Sequence, residues 1–69
     1  MTQQQRIMKY IDDFGSISPM EAIQDLGITK LATRISELID AGVGIMKEDE
    51  RSKNRYGETV RYKRYRRAV

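Results

Sequence analysis

The sequence contains neither cysteine nor histidine. Without cysteine there can be no disulfide and no Cys-based zinc site, and without histidine the commonest metal ligand and general base are missing. Two acidic runs remain, Asp12-Asp13 and Glu48-Asp49-Glu50. Adjacent carboxylates on an exposed helix point apart, and nothing apolar surrounds the second run to shift a pKa. We therefore expect no enzyme activity, no metal, no cofactor and no small-molecule substrate.

Long hydrophobic runs are absent as well. No stretch approaches the roughly 18 apolar residues of a membrane span, and the opening residues, MTQQQR, lack the apolar run of a signal peptide. We expect a cytoplasmic protein without a membrane partner. A chain of 69 residues has room for one domain with a thin core, here taken as residues 1–69.

Charge is distributed unevenly along the chain. Residues 1–50 carry five basic and nine acidic side chains, whereas residues 51–69 carry eight basic side chains and one acidic. Such segregation attracts a polyanion to the C-terminal part, without identifying which polyanion.

Capping signals and apolar spacing predict three helices, at about residues 3–14, 19–26 and 30–41. Thr2 with Gln5 and Ser18 with Glu21 can form capping boxes, and Thr29 is the expected N-cap of the third helix. The expected inward positions are Ile7, Met8, Ile11, Phe14, Met20, Ile23, Leu26, Leu31, Ile35, Leu38 and Ile39. The second and third helices are joined by a short glycine-containing turn, which is typical of a helix-turn-helix.

A β-hairpin is predicted at about residues 43–65, where β-branched and aromatic residues replace the helical pattern. Residues 48–58 are interpreted as its long, mobile tip, and residues 66–69 as a frayed basic tail. Tyr65 is expected in the core. Met8, Met20 and Met46 are expected to fill gaps in the core rather than to form a binding surface.

The outward face of the third helix is the first candidate site. Its N-terminal end offers Lys30, Thr33 and Arg34, which suit base edges or phosphates in the DNA major groove. The alternative is that Arg34 pairs with Glu37 and that Lys30 is merely solvated. Both interpretations stay open at this point.

Basic residues interleaved with tyrosine in the hairpin form the second candidate site. Arginine and lysine supply charge, and tyrosine a hydroxyl, for contacts to phosphates. The alternative, which we expect to hold for most of Tyr65 and part of Tyr62, is that these tyrosines are core or sheet-packing residues and that the charges keep an edge strand soluble. The candidate residues are Arg51, Lys53, Asn54, Arg55, Tyr56, Arg61 and Lys63.

Several motifs together resemble winged helix-turn-helix domains. They are Ser18-Pro19-Met20-Glu21-Ala22, Leu26-Gly27-Ile28, the run from Leu31 to Leu38, Gly42 and Ile45. With Asn54-Arg55-Tyr56-Gly57 and Tyr65 added, the chain is similar to the small proteins of this class in bacteriophages and integrated mobile elements.

The resemblance implies an α+β fold in which a three-helix core is followed by a two-stranded β-hairpin wing. It further implies that the third helix meets the major groove and that the wing meets the flanking backbone. The expected recognition-helix residues are Thr29, Lys30, Thr33, Arg34 and Glu37. Glu37 departs from this pattern because it is acidic, so it must face away from phosphates or accept from a cytosine amine.

Two functional hypotheses follow. The first is a double-stranded DNA-binding protein of phage or mobile-element type, such as a transcription regulator or recombination accessory factor. The second is a protein-interaction module, such as a phage inhibitor of a host system, that uses the same fold without reading DNA. The sequence leaves the target site, the regulatory role and a homodimer or other protein partner open.

Overall fold

A computed structural model describes residues 1–68 of the chain. The elements are α1 (Gln3–Phe14), α2 (Pro19–Glu21), a π-helical segment (Ala22–Leu26), α3 (Leu31–Asp40), β1 (Ile45–Lys53) and β2 (Thr59–Arg67). The two strands form an antiparallel sheet. The expected α+β architecture, three helices followed by a β-hairpin, is thereby confirmed.

The first two helices begin at the predicted capping boxes. The Gln5 N–H donates to Thr2 Oγ1 (3.1 Å), and the Thr2 N–H donates to Gln5 Oε1 (2.8 Å). Ser18 and Glu21 form the same reciprocal pair at 3.2 and 2.8 Å. Each box satisfies two backbone donors that the first turn of a helix leaves free. The expected cap at Thr29 was wrong, because α3 begins after Lys30 without a side-chain cap.

The core lies between the three helices and the base of the hairpin. The burial predicted for Leu31, Ile35 and Leu38 is confirmed, as is that of Tyr65. Ile39 was misassigned and is 37% exposed. The complete buried set is Ile7, Ile11, Ile17, Ala22, Ile28, Leu31, Ile35, Leu38 and Tyr65.

Several apolar residues expected in the core lie at the surface instead. Met20 and Ile23 are exposed. Ala22 and Leu26, the first and last residues of the π-helical segment, face the core in their place. Phe14 occupies the last position of α1 and is 71% exposed. Among the methionines only Met8 packs against the core as expected, since Met20 and Met46 are both exposed.

The hairpin is longer and more regular than the sequence suggests. β1 continues through Lys53, so most of the expected mobile tip is paired strand. β2 reaches Arg67, which lies opposite Ile45, so Arg66 and Arg67 are not frayed. The part of the predicted tail at Val69 lies outside the described residues.

Three contacts fix the base of the hairpin to the helices. Ile17 and Tyr65 exchange two backbone hydrogen bonds of 2.9 Å along the edge of β2 that faces away from β1. Arg67 forms a two-pronged bond to Asp12 of α1, with both distances 3.0 Å. Arg64 donates to Glu21 at 2.8 Å. Residues 51–61, beyond these contacts, are all exposed.

The helices are short. None of those described within residues 1–68 has the length and hydrophobicity of a membrane span.

Candidate nucleic-acid interface

The register of the hairpin divides its side chains between two faces. Residues directly opposite each other across an antiparallel pair lie on the same face of the sheet. We call one face the basic face; apart from Ile45, Tyr65 and Arg67 at the base of the hairpin, it comprises Lys47, Asp49, Arg51, Lys53, Thr59, Arg61 and Lys63. We call the other the paired face; it comprises Met46, Glu48, Glu50, Ser52, Val60, Tyr62, Arg64 and Arg66.

On the paired face, ion pairs neutralise the arginines. Arg64 lies 2.9 Å from Glu50, and Arg66 lies 2.9 Å from Glu48. A hydrogen bond from Tyr62 and a second from Arg64 hold the pKa of Glu50 below its ordinary value. Glu50 therefore stays ionised beside Arg64 at neutral pH. With both arginines in ion pairs, the paired face offers little net charge to a polyanion.

Half of the basic residues in 51–69 are used in such pairs. Besides Arg64 and Arg66, Arg67 pairs with Asp12, and Lys63 lies 2.6 Å from Asp49. The charge segregation in the sequence thus serves in part to attach the hairpin to the body and one strand to the other. Lys63, a predicted phosphate contact, belongs to this ion-paired group.

The other four basic residues gather at the far end of the hairpin. Within residues 1–68, none of them has a carboxylate at ion-pair distance. We call them the distal wing cluster; they are Arg51, Lys53, Arg55 and Arg61.

Arg51 and Arg61 lie directly opposite each other in this cluster. Like charges in that position destabilise a sheet. Their charges also help to lower the pKa of Asp49 on the same face, after the larger effect of its bond to Lys63. The far end of the basic face is therefore a region of uncompensated positive charge.

The tip is an ordered turn rather than a mobile loop. Asn54 Oδ1 accepts from the backbone N–H groups of Tyr56 and Glu58, both at 3.0 Å. Gly57 has a φ of 77°, which completes a three-residue loop of a kind common in hairpins. The turn presents Arg55 and Tyr56 to solvent, and Tyr56 is 84% exposed. The acceptor of Asn54, another predicted DNA contact, is taken up by the turn.

The predicted recognition residues on and before α3 divide into free and engaged side chains. Thr29, Lys30 and Thr33 are exposed. Arg34 Nη1 donates to Glu37 Oε1 at 3.0 Å, and the same oxygen accepts from Gln4 Nε2 at 2.7 Å. The structure therefore contains the Arg34–Glu37 pair that the sequence left as an alternative.

Lys47 is a basic residue that the sequence analysis did not assign to the site. It is exposed on the basic face, in line with Asp49, Arg51 and Lys53 along β1. The alternation of these residues with Glu48, Glu50 and Ser52 has the period of a strand. The sequence contains this alternation, but the alternation indicates a shared face only if residues 48–53 form a strand rather than a loop.

A family model described as a winged helix-turn-helix domain matches residues 2–68. The chain therefore belongs to this family. The helix-turn-helix consists of α2 with its π-helical continuation and α3, and the hairpin is the wing. Membership indicates DNA binding in general, on a fold that is typically not enzymatic. No curated protein and no solved structure matches the chain.

Proposed function

We propose that this protein binds double-stranded DNA with the distal wing cluster on the phosphate backbone and the N-terminal end of α3 in the major groove. The observation that carries the proposal is the direct opposition of Arg51 and Arg61, without a carboxylate partner within residues 1–68. A phosphate between the two guanidinium groups would supply the missing countercharge and accept charge-assisted hydrogen bonds.

On the wing, the proposed phosphate contacts are the basic side chains without a carboxylate partner within residues 1–68 and the exposed tyrosine at the tip. Lys63 is given a smaller role because it is ion-paired with Asp49, and Asn54 because its acceptor holds the turn. Among the described residues Lys53, in contrast, donates only to a backbone carbonyl, that of Gly57 at 3.4 Å. The proposed contacts are Arg51, Lys53, Arg55, Tyr56 and Arg61.

At α3, Lys30 and Thr33 are the proposed readers of base edges, and Thr29 is available to a nearby phosphate. Arg34 is a third proposed reader of base edges, although it must exchange its bond to Glu37 for one to DNA. Glu37 would then be free to accept from a cytosine amine. The enclosed Arg34 Nε, which has no hydrogen-bond partner in residues 1–68, favours a side chain that shifts on binding.

The similarity to small phage and mobile-element proteins supports a narrower proposal. The domain would serve as a transcription regulator or recombination accessory factor. Such roles require a protein to find a particular site among many, and therefore require reading by α3 in addition to charge on the wing.

The test is a titration against a pool of duplex sequences at several salt concentrations. Four free cations at the wing predict that log K falls against log salt with a slope of about 3 to 4. Arg51→Gln should weaken binding and lower that slope by about one unit. Arg66→Gln is the matched control, because it removes the same charge from the opposite face of the same hairpin.

Equal losses from the two variants would show that net charge, and not the basic face, drives binding. No detectable duplex binding at low salt would contradict the proposal and favour the protein-interaction module.

A further inference from the structure

One side of α1 carries a stripe of aromatic and charged residues that is largely exposed. Ile7 and Ile11 face the core, Tyr10 is half-buried at its edge, and Arg6, Lys9, Asp13 and Phe14 are exposed. At about 100° per residue, the stripe spans roughly 140° of the helix surface. We call it the α1 stripe; it comprises Arg6, Lys9, Tyr10, Asp13 and Phe14.

The aromatic part of the stripe is held in a fixed position. The rings of Tyr10 and Phe14 lie with centroids 4.7 Å apart, and Phe14 is 71% exposed. The Tyr10 hydroxyl donates to Asp25 of the helix-turn-helix at 2.5 Å. This bond, with smaller contributions from desolvation and nearby carboxylates, raises the pKa of Tyr10 to about 12. An exposed phenylalanine ring held in place by a half-buried tyrosine is typical of a surface that another molecule covers.

The charges of the stripe oppose the preferences of an isolated helix. α1 has no acidic residue in its first turn and no basic residue in its last. Instead Arg6 lies toward the N-terminus and Asp13 toward the C-terminus, the reverse of what the helix dipole favours. The pair Lys9–Asp13 (3.1 Å) also has the less favourable order, with the cation first. Helix stability therefore does not explain this arrangement.

We propose that the α1 stripe binds a second copy of this chain, with the two α1 helices antiparallel about a two-fold axis. Arg6 and Asp13 are seven residues apart, so they point within about 20° of each other and are separated by about 10 Å along the helix. A two-fold axis midway between them sets each Arg6 against the partner's Asp13. A surface that carries both signs in this order is complementary to itself, as a two-fold interface requires.

The same axis brings the aromatic residues into the interface. Tyr10 and Phe14 point about 50° and about 90° from the mean direction of Arg6 and Asp13, so each Phe14 ring would pack on the flank of the partner's α1. The dimer would cover the most exposed aromatic ring of the helical body. It would also present two α3 helices and two wings, which suits a DNA site with two related halves.

The association is tested in the absence of DNA, by sedimentation equilibrium of the full chain from micromolar to millimolar concentration. The wild type should form a dimer that dissociates on dilution. Phe14→Ala should raise the dimer dissociation constant by about tenfold or more. Tyr56→Ala is the matched control, because it removes an aromatic ring that is even more exposed than Phe14 (84% against 71%) from the wing, and it should leave the dissociation constant unchanged.

Charge exchange tests the antiparallel geometry. Arg6→Asp and Asp13→Arg should each weaken the dimer, and the double variant should restore it toward wild type. Each substitution places a charge where the helix dipole favours it, so α1 should stay folded, which circular dichroism checks.

A monomer at all concentrations, a dimer insensitive to Phe14→Ala, or a double variant as weak as the single ones would overturn the proposal. Because these measurements contain no DNA, their outcome is independent of the proposed DNA binding.

Discussion

At the scale of single residues, the stability of this domain depends on a small number of enclosed side chains. Ile35 is fully buried at the centre of α3, and Ile17 and Ile28 are enclosed although they lie in the connections between helices. Burying one such side chain contributes about 1.5–3 kcal/mol. In a domain of this size the net stability is only a few kcal/mol, so each of these residues matters.

Ile35→Ala should therefore lower the free energy of unfolding by about 2–4 kcal/mol, through lost transfer energy and the cavity left behind. Ile39→Ala is the matched control, because it makes the same chemical change in the same helix at a side chain that is 37% exposed. We expect a loss below about 1 kcal/mol from the control. Urea denaturation of both variants measures the difference. Equal losses would mean that α3 does not pack on the core through Ile35.

At the scale of elements, local signals predicted the helices better than the strands. The capping boxes of Thr2 and Ser18 join residues three positions apart, so a sequence window contains all of the evidence. The pairing of β1 with β2, in contrast, cannot be recognised within a short window of sequence. Asp49 and Lys63 bond across fourteen positions, and residues 48–53 are all polar, so neither hydrophobicity nor composition distinguishes them from a loop.

The turn that joins the strands should depend on Asn54. Asn54→Ala removes the acceptor for two backbone N–H groups and should destabilise the domain by about 1–2 kcal/mol. Asn54→Asp keeps an acceptor in the same place and should retain most of the stability. Thermal unfolding measures both changes, and amide exchange at Tyr56 and Glu58 should quicken in the alanine variant. Arg55→Ala is the control; if it costs as much as Asn54→Ala, the turn does not depend on the Asn54 side chain.

At the scale of the whole molecule, the candidate site was only partly predictable for the same physical reason. The sequence identifies every basic residue near the C-terminus, but whether a cation is free depends on carboxylates that the fold brings to it. Arg67 meets Asp12 across fifty-five positions, and Arg64 meets Glu21 across forty-three. The positive charge of the C-terminal part is therefore not spread evenly over it. The basic residues without a carboxylate partner within residues 1–68, the distal wing cluster, lie at the far end of the hairpin, where they can direct a polyanion toward one place.

The last prediction separates reading of bases from attraction to phosphates. Arg34→Ala should weaken binding to the preferred duplex by about 1–3 kcal/mol and to a scrambled duplex by much less, since only α3 is proposed to reach base edges. Arg55→Ala should weaken both duplexes similarly and lower the salt slope by about one unit, since a residue at the tip of the wing is proposed to meet only phosphate. Fluorescence anisotropy with both duplexes at several salt concentrations measures these quantities. An equal loss on the two duplexes from Arg34→Ala would make Arg34 a backbone contact and leave base reading to Lys30 and Thr33. If neither substitution changes binding, the DNA-binding surface lies elsewhere on the molecule.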